Sequence, residues 1–574
     1  MQNLNQTKQK HTLHRFNGGL HLPDNKSQSL TQPLQKAAIP KRLTLPLQQH
    51  IGEISEPLVK VGDHVLKGQM LAKPQGYVSA PIHAPTSGTV VAIDVFPIPH
   101  PSGLPAPCVV IETDGKDTWG GQLEPMPDYM HVDLSILRER IRNAGIVGLG
   151  GAAFPSSVKL TPGLDNPINT LIINGAECEP YITCDDLLMQ TQAERILSGI
   201  TIIRRLVGAE KCLIGIEDNK PKAIRSLRQA VTDHELSWIS VITIPTLYPS
   251  GGEKQLIKVL TGKEVPSGKI PATIGMICHN VTTAYSVAEA VLEGRPLISR
   301  YVTITGKGVA QPKNLEALIG TPVSELIAQA GGYTEQVSKL IMGGPMMGFT
   351  LATDEVPITK ACNCLLAADK TESPDPQPAL ACIRCGQCAA ACPANLLPQQ
   401  MYWYARAKDL EKVQEYNLFD CIECGCCSHV CPSHIPLVQY FRFAKTESWA
   451  QEKEQRAAEK ARQRHEAQLA RKERLEAERK AKIRQKKEAL SATKAKEASV
   501  KTASPDDIGE DPKKAAITAA LKRAAEKKAK LAESGIKPKN QDDLTEAQKQ
   551  AIKKVDARRS SHEEDATTTD EQGG

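Results

Sequence analysis

The chain has 574 residues, 40% of them hydrophobic and 24% charged, with a formal net charge of +6; this is long enough to bury several cores. Residues 451–574 hold 31 Lys and Arg against 24 Asp and Glu, so the first 450 residues are close to neutral and give no basis for nucleic-acid binding. The opening MQNLNQTKQK lacks the apolar core of a secretory signal, and no run of about 18 residues is apolar enough to span a bilayer. The expectation is a cytoplasmic protein that meets a membrane only through partners. Sixteen cysteines in such a chain point to metal ligation or redox chemistry rather than a disulfide framework.

The fold class predicted in chain order is multidomain, α/β plus β. Residues 1–40 form a polar N-terminal segment ending in HRFNGGLHLP and a short loop. From 41 to 115, β-branched runs alternate with Gly and Pro (EPLVKVGDHVLKGQML, then VSAPIHAPTSGTVVAID), which predicts a compact barrel-sandwich domain. These runs resemble the biotinyl/lipoyl family, whose modified lysine sits in the turn between the two halves. Here that turn is KPQGYVS, with Lys73 only at its edge, so Lys73 reads as a surface residue and no swinging arm is expected.

Residues 132–297 alternate helical stretches (LSILRERIRNAGI, QAERILSGITIIRRLVG, KAIRSLRQAV) with strands (TLIINGA, KCLIGIE, WISVITIPT). This predicts a Rossmann-like α/β domain whose largely parallel sheet binds ligands at its strand ends. Residues 298–360, RYVTITGKGVAQPKNLEALIGTPVSELIAQAGG onward, resemble an SLBB β-grasp module with a helix ending at Gly331. A cysteine-rich segment follows at 370–445, then an Ala/Lys/Glu-rich tail at 450–574. In that tail Leu469, Leu475, Ile483 and Leu490 recur about once per heptad, too sparsely for a coiled-coil seam. A solvated helix is expected, giving way near TASPDDIGEDP to weak helix or disorder.

Two stretches, CIRCGQCAAACP (382–393) and CIECGCCSHVCP (421–432), share the frame C-x2-C-x2-C-x3-C-P. Three cysteines spaced three apart on a tight loop reach three corners of one cubane, while the fourth points to the partner cluster. This assigns Cys382, Cys385, Cys388 and Cys431 to one 4Fe–4S cluster, and Cys421, Cys424, Cys427 and Cys392 to the other. Cys426 stands at the place of Gln387 and is the spare thiol. Two zinc sites are the competing reading, but zinc knuckles pair two C-x-x-C units across a longer gap. The stretch between the motifs, LLPQQMYWYARAKDLEKVQEYNLFD, predicts a helical two-cluster ferredoxin domain. Cys108, Cys178, Cys184, Cys212 and Cys278 read as buried packing residues. Cys362 and Cys364 lack two further nearby thiols for a third cluster, and His429 reads as lying outside the ligand set.

Four stretches of the α/β part suggest a flavin site: the glycine loop GIVGLGGAAFPSSVKL, the strand end LIINGAECEPYITCDD, the turn LYPSGGEKQLIKVLTGK and the segment GMICHNVTTA. Close backbone approach and peptide N–H groups suit a phosphate or a flavin edge. Together they resemble the RnfC family, a component of the Rnf ion-translocating electron-transport complex, over about residues 10–445. More distantly they are similar to the NADH- and FMN-binding subunit of respiratory complex I. The resemblance implies that Gly148, Gly150, Gly151, Lys159, Asn174, Glu177, Glu179, Tyr248, Gly251, Glu253, Asn280 and Thr283 surround FMN and NADH, with Ala152, Phe154 and Pro180 in matching places. The departures are Leu149 for the loop arginine, Ala153 for a glycine, Ala176 for an acidic residue, Gly252 for a glutamate and His279 for an asparagine. Hydride transfer needs stacked rings rather than an acid–base residue, so these changes leave it possible.

The resemblance further implies a peripheral protein on the cytoplasmic side of the inner membrane. There FMN takes a hydride from NADH, and the two clusters pass single electrons to the integral-membrane and iron–sulfur subunits of an Rnf-type complex. A soluble ferredoxin or a redox-regulatory protein is a further candidate partner. The alternatives are a flavin-free iron–sulfur wire or scaffold, and the diaphorase subunit of a soluble hydrogenase or formate dehydrogenase.

Overall fold

The apolar run of TLIING needs cover on both faces, and it becomes the inner strand Thr170–Gly175 of a four-stranded parallel sheet. The sheet order is Ile239–Ile244, Lys211–Glu217, Thr170–Gly175, Met276–Asn280, with Gly215 opposite Asn174 and Asn280 opposite Asn174 on the other side. The carboxyl ends of the neighbouring strands Thr170–Gly175 and Met276–Asn280 therefore set Asn174 beside Asn280, where ligands are expected in such sheets. Helices Ala193–Val207, Pro221–Asp233, Glu253–Thr261 and Val281–Leu292 pack against it. Each of three has a local reason to begin or end: Gly208 closes the first in the left-handed region, Pro221 opens the second, and the Asn280 side chain caps the last through the Thr282 and Thr283 N–H groups. This computed structural model describes residues 11–120, 123–161, 163, 166–499 and 518–523.

The barrel-sandwich part has a four-stranded antiparallel sheet, ordered Arg42–Pro46, Ala106–Thr113, Gly88–Phe96, His64–Val65, and a three-stranded one of Glu56–Pro57, Met70–Lys73 and Ile82–His83. Lys73 pairs with Glu56 at 3.1 Å with both side chains about half exposed, a surface ion pair. The β-grasp part recruits strands from outside 298–360. Its six-stranded sheet runs Gln35–Lys36, Lys313–Leu318, Ser299–Thr305, Cys364–Ala368, Lys339–Met342, Phe349–Thr350. Val302, Ile304 and Leu315 from the inner strands close on Val323, Leu326 and Ile327 of the helix Val323–Gln329. Lys360, fully buried, donates to the carbonyls of Pro81 and Gly145 at 2.8 Å each, so one ammonium ties the three parts together. Burial lowers its pKa from 10.5 to about 7.

The cysteine-rich part is built on the helices Gln387–Ala390, Pro398–Arg406, Leu410–Glu415 and Cys426–His429 around Met401, Val413, Leu418 and Phe441. A helix then runs Leu437–Ser499. The chain divides into two units, 1–459 and 460–574. In the second unit Leu469, Leu475, Ile483 and Leu490 are exposed, and Arg462–Glu466 and Arg484–Glu488 pair one turn apart. The solvated helix expected of this composition is present to Ser499; the break expected near TASPDDIGEDP lies outside the described residues. No helix among the described residues is long and apolar enough to cross a membrane.

Gly199 marks the closest helix crossing, where a Cβ would stand 1.8 Å from the Ala284 carbonyl oxygen. Gly199→Ala must push the two helices apart at a cost of about 1–3 kcal/mol or more. The expected result is a thermal unfolding midpoint several degrees lower by circular dichroism; an unchanged midpoint would contradict this crossing.

Candidate functional site

All twelve residues implied for the flavin and nicotinamide line one cleft of about 630 Å³, within the ~300–1,000 Å³ of a small-molecule or cofactor site. Its first wall is the loop after Gly145. Gly148 N–H donates to the Phe154 carbonyl at 2.8 Å and Ala153 N–H returns to Gly148 at 3.0 Å, closing the loop on itself. The N–H groups of Gly150, Gly151 and Ala152 are left without an acceptor among the described residues. Gly151, with φ +112° and nothing within 4 Å of a built Cβ, presents bare backbone to the cleft. An edge of free N–H groups suits a phosphate or the polar rim of a flavin, so the residues present fit FMN.

Leu149, at the position of the expected arginine, points the other way and is buried. Its N–H donates to Thr283 Oγ1 at 2.9 Å, and its carbonyl accepts from Arg300 at 3.0 Å. Thr283 therefore holds the loop while itself lining the cleft. Arg300 is a buried support that its place in the strand RYVTIT did not single out.

The strand-end residues are brought to the same cleft, yet several of their polar ends are already engaged. Asn174 donates to the Gly251 carbonyl at 2.7 Å, which fastens strand end to turn. The Glu177 carboxylate accepts the Asp185 N–H at 2.7 Å, capping the helix Cys184–Thr191. Burial, partly offset by Lys26, raises its pKa to about 8. Glu179 accepts the N–H groups of Met346 and Met347 at 2.7 and 2.9 Å, and burial raises its pKa too. Asp185, absent from the sequence-derived set, accepts from Asn280 Nδ2 at 2.6 Å. Lys159 and Glu253 form an ion pair at the rim. His279 lies 4% exposed with its Nε2 unpartnered among the described residues. Burial first, and Lys159 second, lower its pKa, so its ring is neutral.

A fourth wall went unread in the sequence. Gly343, Gly344, Met347 and Gly348 of the β-grasp part line the cleft, and a Cβ on Gly344 would meet the Glu179 side chain at 2.0 Å. The glycine-rich GGPMMG (343–348) was the available signal.

The cysteines gather into two further cavities. One is lined by Cys421, Cys424, Cys427 and Cys392. The other is lined by Cys382, Cys385, Cys388 and Cys431. Each holds three thiols of one motif and the last thiol of the other, four soft sulfur donors apiece, a set that fits an iron–sulfur cluster. Cys426 lines neither; it is buried among Tyr248, Ala391 and Cys424.

Cleft and first cavity share a wall. Ile422 lines both. The Tyr248 hydroxyl, buried, donates to the Cys424 carbonyl at 2.7 Å, Gln255 donates to the Pro393 carbonyl at 3.3 Å, and Lys254 pairs with Asp420 at 3.0 Å. Tyr248, expected at the cofactor, thus spends its polar end on the cluster loop. The N-terminal segment straps the seam: Leu20 exchanges backbone bonds with Tyr248, Gly19 N–H donates to Ala391, and Lys26 Nζ donates to the Glu177 and Glu179 carbonyls at 2.9 and 3.0 Å. Its glycine pair is required, since a Cβ on Gly18 would lie 2.5 Å from the Ala391 backbone.

Four family descriptions match along the chain: an RnfC barrel-sandwich hybrid domain at 14–116, a Nuo51 FMN-binding domain at 141–289, an SLBB domain at 301–350 and a 4Fe-4S dicluster domain at 381–435. The RnfC protein of the ion-translocating oxidoreductase complex of Pseudomonas aeruginosa is 52% identical over 459 residues, 80% of this chain and 59% of that protein. Its counterpart of the same name from Yersinia pestis is 49% identical over 490 residues, 85% of this chain and 78% of that one. This chain belongs to the RnfC family of ion-translocating oxidoreductase complexes. As an RnfC relative it carries the FMN-binding domain and the paired 4Fe–4S domain in the order read from sequence. It spans about 60% of the length of the first curated relatives it matches. Among solved structures, an NAD+-reducing NiFe hydrogenase in the air-oxidized state aligns over 51% of this chain and 57% of that one, with 21% identity and a TM-score of 0.40.

Removing the Tyr248 hydroxyl leaves the buried Cys424 carbonyl unsatisfied, a loss of about 1–3 kcal/mol. Tyr248→Phe is expected to speed amide hydrogen exchange across residues 421–427 while the sheet strands Thr170–Gly175 and Lys211–Glu217 keep their protection. Equal protection of the cluster loop in both proteins would show that this bond does not hold the seam.

Proposed function

We propose that this chain is the electron-entry subunit of an Rnf-type ion-translocating oxidoreductase, peripheral on the cytoplasmic side of the inner membrane. It passes electrons between NADH, by way of FMN, and the integral-membrane and iron–sulfur subunits of the complex. The observation that carries the reading is the wall shared by the nucleotide cleft and a four-thiol cavity, formed by Ile422 with the Tyr248–Cys424 bond. Ile422 is thus the side chain that borders both the site that would hold the flavin and the site that would hold a cluster.

FMN, when bound, supplies the conversion of a hydride pair into single electrons. The chain's own residues divide the remaining work. The N–H groups of Gly150, Gly151 and Ala152 bind the cofactor's polar edge, with Gly148 setting the loop. Gly251 and the Lys159–Glu253 pair border the opening. Asn174, Glu177, Glu179, Asn280 and Thr283 act as positioning residues, because their side chains hold the loops that line the cleft. Tyr248 positions the cluster loop. Cys421, Cys424, Cys427 and Cys392 hold the cluster next to the cleft, and Cys382, Cys385, Cys388 and Cys431 hold the outer one.

Anaerobically purified full-length protein is expected to release FMN on denaturation, to contain about eight irons, and to bleach its visible absorbance with NADH. Eight irons with no flavin after FMN reconstitution and no NADH bleaching would replace this reading with a flavin-free wire. Cys426→Ser is expected to keep all the iron. Cys431→Ser is expected to lose about four irons, and the reverse pattern would overturn the ligand assignment.

A further inference from the structure

The two cysteine motifs repeat each other in three dimensions as well as in sequence. Arg384 and Glu423 occupy the same place with φ of 59° and 58°, Gly386 and Gly425 follow with 79° and 80°, and each leads into a one-turn helix, Gln387–Ala390 or Cys426–His429. The surroundings of the two copies are opposite. On the inner copy, Ile422 is half-buried against the cleft, Cys424 is 7% exposed, and a Cβ on Gly425 would meet the Met346 carbonyl at 3.0 Å. On the outer copy, Ile383 is 67% exposed, Cys385 is exposed, and a Cβ on Gly386 would meet nothing within 4 Å. Pro393, beside the inner cavity, is buried; Pro432, its counterpart, is exposed.

The charges differ in the same sense. Glu423 is neutralised within the chain by Arg442 and Lys445 at 3.0 and 2.8 Å. Arg384 has no partner among the described residues. Leu380, 64% exposed, extends the apolar surface, its N–H bonded to the Ser433 carbonyl at the outer cavity.

From this we infer that the outer copy, Leu380, Ile383, Arg384 and Gly386, is the docking face for a separate one-electron redox protein whose contact surface is apolar and bordered by carboxylates. The face would be covered by that partner as the inner copy is covered by the flavin part. The occupant is a redox protein because the surface lies over the four-thiol cavity of Cys382, Cys385, Cys388 and Cys431, where contact brings a second centre within reach. It is acidic at its rim because an unpaired guanidinium calls for a carboxylate there. Each transfer oxidises the cluster held by those four cysteines by one electron and reduces the partner's centre by one. The inference rests on the reading of this segment as a cluster-bearing wire, and it is independent of NADH as the donor.

The test uses the full-length protein, loaded with its clusters and reduced with dithionite, which bypasses nicotinamide and flavin. It is mixed in a stopped-flow instrument with oxidised membranes from a strain lacking this chain, and cluster reoxidation is followed by absorbance. The parent is expected to reoxidise at a rate that falls with ionic strength. Arg384→Glu is expected to slow it about tenfold and flatten its salt dependence. Ile383→Ser is expected to slow it with the salt dependence kept, and Lys116→Glu, a charge reversal on the barrel-sandwich part, to leave it unchanged. Iron content and low-temperature EPR of both clusters should match the parent in every variant, since Ile383 and Arg384 border the outer cavity with exposed side chains and supply none of its thiols. In parallel, a photo-crosslinker at position 383 should join the chain to a membrane protein that carries its own iron–sulfur or flavin centre. Unchanged rates in Arg384→Glu and Ile383→Ser with both clusters intact would overturn the inference. So would a parent rate indifferent to salt, or no reoxidation by the membranes at all. Failure of NADH to reduce the clusters would instead count against the proposed donor and leave this result standing.

Discussion

The two short cysteine loops are bound to each other because each lends one thiol to the other's cavity. Each cavity takes three sulfurs from its own loop and the fourth from the other. The cysteine-rich part can therefore fold only as one body, with both loops fixed relative to each other by the helices Pro398–Arg406 and Leu410–Glu415 that join them. Once the loops are locked together, anchoring one of them orients the other. The bond from Tyr248 to the Cys424 carbonyl and the Lys254–Asp420 pair anchor the inner loop, and the outer loop then faces water.

The cleft shows a second economy of construction. Its walls are drawn together by desolvated carboxylates that need donors, and the donors are backbone N–H groups of other segments. Glu177 caps a helix, and Glu179 draws in the Met346–Met347 loop of the β-grasp part. Lys26 then ties down the turn between them through its carbonyls. These contacts cross three parts of the chain, so the cleft is an interface before it is a binding site. What stays free is bare backbone at Gly150 and Gly151, the surface that a cofactor edge can approach closely. Two of the five departures from the flavoprotein pattern are turned away from the cleft, Leu149 into the core and Ala176 beneath the turn, while Gly252 and His279 line it.

Much of this was legible in the residue order. β-branched runs with Gly/Pro punctuation marked the barrel-sandwich part, and helices alternating with strands such as TLIINGA marked a largely parallel sheet. The doubled C-x2-C-x2-C-x3-C-P frame separated Cys426 from its neighbours, and the structure buries it away from both cavities. Less legible was the work each side chain does. For Tyr248 and Thr283 a motif gives proximity to the cleft, but not the bonds that each makes to the cluster loop and to the glycine loop. Arg300, Asp185 and the GGPMMG loop were passed over, because their roles arise from segments that are distant in sequence.

By itself the sequence determined which chemistry the chain can host, since ligand spacing and glycine loops are local properties written in consecutive residues. It also determined the succession of domains, through periodicities that each segment carries alone. Tertiary structure alone decided that the N-terminal segment is a strap, that the β-grasp part closes the nucleotide cleft, and that two nearly identical cysteine loops have opposite surroundings. Ile422 and Ile383 are the same residue in the same frame. One is covered and the other open because segments distant along the chain, Tyr248, Lys254 and Met346, meet the Ile422 loop and not its twin.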